Sequence, residues 1–186
     1  MYFTLINDLK YESSFVVNEP DNLPMKFDLM SGVEMNVPIS LPLVYTTNAK
    51  KGDALRAFLK GSNTLVSSEF LDLLKKAGVT NLQTFPAVIK STEDGYVWDN
   101  YFGLNILGVI ECADLGKSTY DEIMPGHYSF DELVIDTVKI PDGSLMFRLK
   151  EHVPTIIIHR SVGRLIKDYD PEKKSLSGWS VGKIIQ

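Results

Sequence analysis

A chain of 186 residues, 44% hydrophobic and 23% charged, can bury roughly 70% of its unfolded surface in one domain or one duplicated domain, which argues against a disordered or fibrous protein. Nineteen Lys+Arg against 24 Asp+Glu leave a net charge of −5; nucleic acid is not expected as a partner, since displacing counterions from phosphates needs a clustered basic face. The lone cysteine, Cys112, cannot form an internal disulfide, no apolar run approaches the roughly 20 residues of a membrane span, and Met1 to Asp8 has no basic leader, so a cytoplasmic protein without membrane contact is expected.

Residues 1–60 read as a loop-rich β lobe. Tyr2, Phe3 and Ile6 favour an opening strand over Met1 to Ile6, ended by the Asn7-Asp8 turn signal, and Ser14 to Val17 is a second strand. Pro20, Pro24, Pro38 and Pro42 forbid helix before them and leave short extended pieces at Met25 to Met30 and Leu43 to Tyr45. Asp53 is placed to start a short helix with Leu55, Phe58 and Leu59 inward and Gly61 as its stop.

Residues 61–186 form the expected α+β core, packed with the lobe as one compact domain. In Leu65 to Phe85, Ser67 or Ser68 can cap a helix whose Phe70, Leu73, Leu74 and Ala77 make an apolar stripe, and Gly78 stops it. Leu82 to Ile89 is a strand in which Pro86 favours an edge or a bulge. Glu93-Asp94-Gly95 is a turn, Tyr96 to Trp98 starts a strand, and Tyr101 to Cys112 is a central strand in which Gly103 and Gly108 mark bulges or close contacts. A polar loop from Ser118 to Pro125-Gly126 precedes a half-exposed strand over Phe130 to Ile140; Pro141-Asp142-Gly143 turns the chain into Leu145 to Leu149. Pro154 to Ile158 opens a second β-α unit and Gly178 to Ile184 closes the chain.

That second unit repeats the first at a constant offset of 92, placing Ile157 on Leu65, Ile158 on Val66, Val162 on Phe70, Leu165 on Leu73 and Ile166 on Leu74. His159 stands where Ser67 caps, and Gly163 falls inside the helix. The expected fold is therefore a mixed, mainly antiparallel sheet with about three helices, containing two similar β-turn-α-β units.

Nucleotide-binding signatures are absent from the sequence. There is no GxxxxGK[ST] or GxGxxG; the one GxSxG match, Gly178 to Gly182, falls in the expected closing strand and not at a strand-to-helix elbow; and His127, His152 and His159 match no zinc spacing, so neither cofactor nor metal is expected. Cys112 sits in a predicted buried strand, a setting for a core thiol. Charge is distributed unevenly: residues 94–142 hold ten acids and two bases, residues 143–186 four acids and eight bases. Such an acidic block attracts a cationic partner, or simply keeps a solvated face soluble. Asp94, Trp98, Asp99 and Tyr101, with Asp121, Glu122, Asp131 and Glu132, combine rigid aromatics with negative charge and are the candidate protein interface. Arg148, Glu151 and His152 form a polar cluster in which Arg148 either holds a ligand carboxylate or pairs internally, with Glu151 as a partner.

LVSSEFLDLLKKAGVTNLQTFP at Leu65 to Pro86, YFGLNILGVIECADLGKSTY at Tyr101 to Tyr120, LMFRLKEH at Leu145 to His152, and IIIHRSVGRLIKD followed by Leu176-Ser177-Gly178-Trp179 resemble, in their order, the polymorphic-toxin immunity proteins of family eleven. The resemblance covers about residues 60 to 184; His159 and Arg160 depart from the family's serine-containing helix start. It implies a bacterial cytoplasmic protein that binds and neutralises a cognate toxin, without catalysis and with no catalytic residue to carry over. An acidic aromatic surface would suit a basic, nuclease-like toxin. The alternatives are a small enzyme or ligand-binding protein with a site near Arg148, Glu151 and His152, joined by Asp99, and a scaffold that dimerises through a strand edge.

Overall fold

Period-2 alternation of apolar residues dominates the chain, and in the computed structural model it yields thirteen strands and two helices among the described residues, 1–8, 15–20, 23–24, 26–61, 63–172 and 176–186. In order these are β1 (Tyr2–Asn7), β2 (Val17–Asn18), β3 (Leu43–Thr47), β4 (Phe58–Leu59), β5 (Leu65–Ser67), α1 (Ser68–Lys76), β6 (Leu82–Ser91) and β7 (Val97–Ile106). Then come β8 (Val109–Ile110), β9 (Thr119–Met124), β10 (His127–Glu132), a 3-10 turn (Thr137–Lys139), β11 (Met146–Leu149), β12 (His152–His159), α2 (Arg160–Tyr169) and β13 (Trp179–Lys183).

The strands make two sheets and a hairpin rather than one sheet. The first sheet runs β13-β1-β12-β11-β8, the second β2-β3-β6-β7-β5-β4, and β9 pairs only with β10. All pairs are antiparallel except β3–β6 and β8–β11. Each sheet contains one split β-α-β unit. β5 and β6 flank β7 and are antiparallel to it, with α1 connecting them; β12 and β13 flank β1 in the same way, connected by α2. The two helices start 92 residues apart and each is capped by the last residue of its leading strand: Ser67 Oγ accepts from Phe70 N at 3.2 Å, and His159 Nδ1 from Ser161 N at 3.3 Å.

Alternation along the strands feeds three cores. Ile156 and Ile158 of β12, Leu5 of β1, and Leu104 and Ile106 of β7 turn into a central core filled by Phe70, Leu74, Val162 and Ile166 of the helices. Ile157, Phe147 and Leu149 face outward and are covered by Cys112, Ala113, Leu133, Ile135 and Ile140. On the second sheet, Leu43, Tyr45, Ile89 and Tyr101 are covered by Phe27 and Leu29. The 111–140 and 26–30 segments thus act as lids on opposite sheets.

Several expectations change. Among the described residues two helices form, not about three. Asp53 closes a turn, its carboxylate accepting from Lys50 N at 2.7 Å, and the following residues extend because Ala57 N and Phe58 N bond Ser177 O and Ala57 O receives Ser67 N. The strands of residues 1–60 are shared between both sheets: β1 is an interior strand of the first and β2, β3 and β4 belong to the second. Of the edge or bulge expected at Pro86, the bulge is what forms: Pro86 lies in an interior strand, directly before the Ala87–Ser91 stretch that pairs with β3, and a register shift follows at Ala87/Ile89. The Ser118–Gly126 loop is mostly strand β9, and the Phe130–Ile140 strand ends at Glu132. Ser14 and Met25, the starts of two expected extended pieces, lie outside the described residues; residues 26–30 form no strand and turn at 26 and at 29–30, with Phe27 N bonded to Pro24 O.

Candidate functional site

The β9–β10 hairpin carries the densest exposed acid. Every residue of β9 is exposed, and only Tyr128 and Phe130 of β10 are half-buried. Glu122 lies opposite Tyr128, Asp121 opposite Ser129 and Tyr120 opposite Phe130. One face therefore gathers Tyr120, Tyr128 and Phe130, with centroids 5.0–6.2 Å apart, and Phe130 packs on the outer core of the first sheet. These cross-strand rings hold together a ribbon that also carries Asp121, Glu122, Asp131 and Glu132. At the tip, Glu122 Oε1 accepts from Gly126 N at 3.1 Å, and Ile123 and Met124 are 64% and 56% exposed. Asp121, Glu122, Asp131 and Glu132 are all exposed, and none makes an ion pair among the described residues.

The remaining interface candidates belong to the second sheet. Asp94 accepts from Lys51 N at 2.8 Å and Tyr96 N at 3.0 Å, bonds that hold its carboxyl below the usual range and bind the 50–53 turn to the β6–β7 turn. Trp98 is half-buried against Tyr96 at 4.9 Å, and Asp99 is exposed. Tyr101 leaves the surface set: it is 4% exposed, its hydroxyl donates to Arg56 O at 3.1 Å, and burial raises its pKa.

Arg148, Glu151 and His152 do not converge. Arg148 is 1% exposed and donates from Nη2 to Leu29 O at 2.9 Å and from Nη1 to Val153 O at 3.1 Å, so it neither pairs with Glu151 nor waits for a ligand. Phe147 and Leu149 do face one core and Arg148 the other side, as alternation requires, but the 26–30 segment covers that side. His152 Nδ1 is 2.7 Å from Thr155 Oγ1. Glu151 turns elsewhere: its Oε1 accepts from Ala113 N at 2.8 Å.

Glu151 also lines a cavity of about 470 Å³ beside the turn end of the hairpin, with Glu111, Asp114, Gly126, Tyr128, Asp136, Lys139 and Lys150. Tyr128 N donates to Glu151 O at 2.9 Å, tying hairpin to cavity. The Cys112 thiol beside it is buried, and desolvation followed by the Glu151 charge pushes its pKa up to about 12. A second cavity, of about 640 Å³, lies between the helices over Leu73 and Leu165 and is rimmed by Lys76, Arg160 and Arg164, a surface of opposite sign. Neither cavity was legible in the sequence, because residues 38 apart (Ala113 and Glu151) or on separate helices build them. Among the described residues no group of three His, Cys, Asp or Glu is placed to hold a metal ion, and no helix is long and apolar enough to cross a membrane.

No protein-family model matches the chain, and no curated protein matches it.

Proposed function

We propose that this chain is an immunity-type protein of the bacterial cytoplasm that binds and neutralises a cognate basic toxin, with the β9–β10 hairpin as the principal contact. The observation that carries this reading is the hairpin itself: among the described residues its four carboxylates make no ion pair and its ribbon pairs with neither sheet, and they stand beside exposed Ile123 and Met124. Apolar side chains supply affinity there, while the carboxylates steer a cationic partner and penalise others. The motif order described above supports the same reading, and inhibition by occlusion requires no catalytic group.

The test is co-expression with the product of the adjacent gene, scoring growth rescue and co-purification. With a complex in hand, reversing Asp121, Glu122, Asp131 and Glu132 to Lys should slow association about tenfold or more at low salt, and the difference should shrink as salt rises. Reversing Arg160 and Arg164 on the helical face should not slow it. Association rates indifferent to the hairpin charges at low salt would sink the assignment of this surface.

A further inference from the structure

We propose that the cavity beside the turn end of the β9–β10 hairpin is a receptor for one arginine side chain of a protein partner, with the Glu151 carboxylate as its anion. For the identity of that partner the inference rests on the reading above; the site itself does not.

Glu151 is 6% exposed, and only one of its carboxylate oxygens is engaged: Oε1 takes the Ala113 amide, while Oε2 has no hydrogen-bond partner among the described residues. A buried carboxylate is costly unless its oxygens are satisfied, and Glu151 lines a 470 Å³ cavity, so a donor entering that cavity would satisfy the buried Oε2 after a small rotation of the side chain. The other acids of the cavity are already engaged. Glu111 is paired with Lys150, Asp114 with Lys117 at 2.7 Å, and Asp136 caps the 3-10 turn by accepting from Val138 N at 3.0 Å. Together the lining carries four acids against Lys139 and Lys150, so its field favours a cation.

The carboxylates do not converge as a metal shell, which leaves an organic cation. Guanidinium fits better than ammonium. It is planar, weakly hydrated and able to stack on the Tyr128 ring while donating in the plane to Glu151, and its remaining N–H groups face the cavity's other acids. The acidic hairpin that forms one wall would deliver a basic surface to this place.

The test uses the full chain, isotope-labelled, titrated at neutral pH with N-acetyl-arginine methylamide, following the amide resonances of Ala113 and Tyr128. A saturable shift of both is expected, with N-acetyl-lysine methylamide binding more weakly. Glu151→Gln keeps the Ala113 bond and should leave the remaining spectrum in place while weakening arginine binding about tenfold or more. Absence of a shift in the unmodified protein at millimolar probe, or an equal shift in the variant, overturns the receptor. The two readings fail separately. A toxin complex as tight with Glu151→Gln as without it removes the cavity and leaves the toxin reading standing. Arginine binding that depends on Glu151, with no complex from the adjacent gene product, keeps the receptor and removes that reading.

Discussion

The guanidinium of Arg148 is held by carbonyls: its bonds to Leu29 O and Val153 O tie the 26–30 lid to the β11–β12 pair, and burial pulls its pKa down to about 10. Nearby charge reaches further. Burial, then the positive charge of Lys60, lowers the pKa of His152, and burial, then the terminal amine, lowers that of His159. Both histidines therefore bind protons less readily folded than unfolded. Their contribution to stability is fully present above the ordinary value near 6.5 and is lost as pH falls toward the depressed folded values. The exposed carboxyls of Asp94, Glu111 and Asp114, also lowered, act in the same direction but only in the more acid carboxylate range. The urea midpoint should accordingly drop between about pH 7.5 and pH 5.5, and His152→Gln with His159→Asn should flatten that part of the curve. An equally steep decline in the double variant would assign it to other groups.

Among the elements, α2 and the segment leading into β13 contain two glycines that behave oppositely. Gly163 lies in the helix at ordinary φ, and a Cβ there would stand 3.4 Å from Ile158 Cδ1, a normal contact. Gly163→Ala should raise stability by about 0.5–1 kcal/mol. Gly178 has φ +92°, and a Cβ would meet Arg56 Cβ at 2.6 Å and Phe58 O at 2.7 Å, where the chain bonds Asp8 on one side and Ala57 on the other. Gly178→Ala should cost more than about 2 kcal/mol, read from the same urea curves. A neutral Gly178→Ala would mean that the 56–58 segment yields easily. The helices were legible because cap, stripe and stop lie within one local stretch: Ser67 caps, Phe70 and Leu74 are buried, and Gly78 takes φ +89°. The Asp53 helix was misread because the bonds that extend it come from Ser177, more than a hundred residues away. β9 was misread because its acids break the apolar alternation and its stability comes from rings on β10.

For the whole molecule, the constant offset of 92 located both β-α-β units, yet the strand completing each one could not be read. β7 follows its unit in sequence, whereas β1 reaches its unit from the opposite end of the chain. This threading, more than any local pattern, decides how the molecule unfolds. β1 lies between β12 and β13 in one sheet, β4 closes the other, and Ser177 O bonds the chain entering β4 directly before β13 begins. Both sheets and both helices contribute to one central core. Neither sheet can therefore lose its strands without opening that core, and a single cooperative transition is expected. The two tryptophans report on it from separate places. Trp98, on β7 of the second sheet, packs against that sheet's own core with Tyr45 and Ile89, while Trp179, on β13 of the first, is 3% exposed in the central core beside Phe70. With Trp98→Phe and Trp179→Phe each leaving one reporter, urea midpoints, each compared with far-UV circular dichroism of the same variant, should coincide within roughly 0.2 M. If Trp98 fluorescence changes at clearly lower urea than secondary structure does, the second sheet is a separate unit and the interleaving does not couple it to the first.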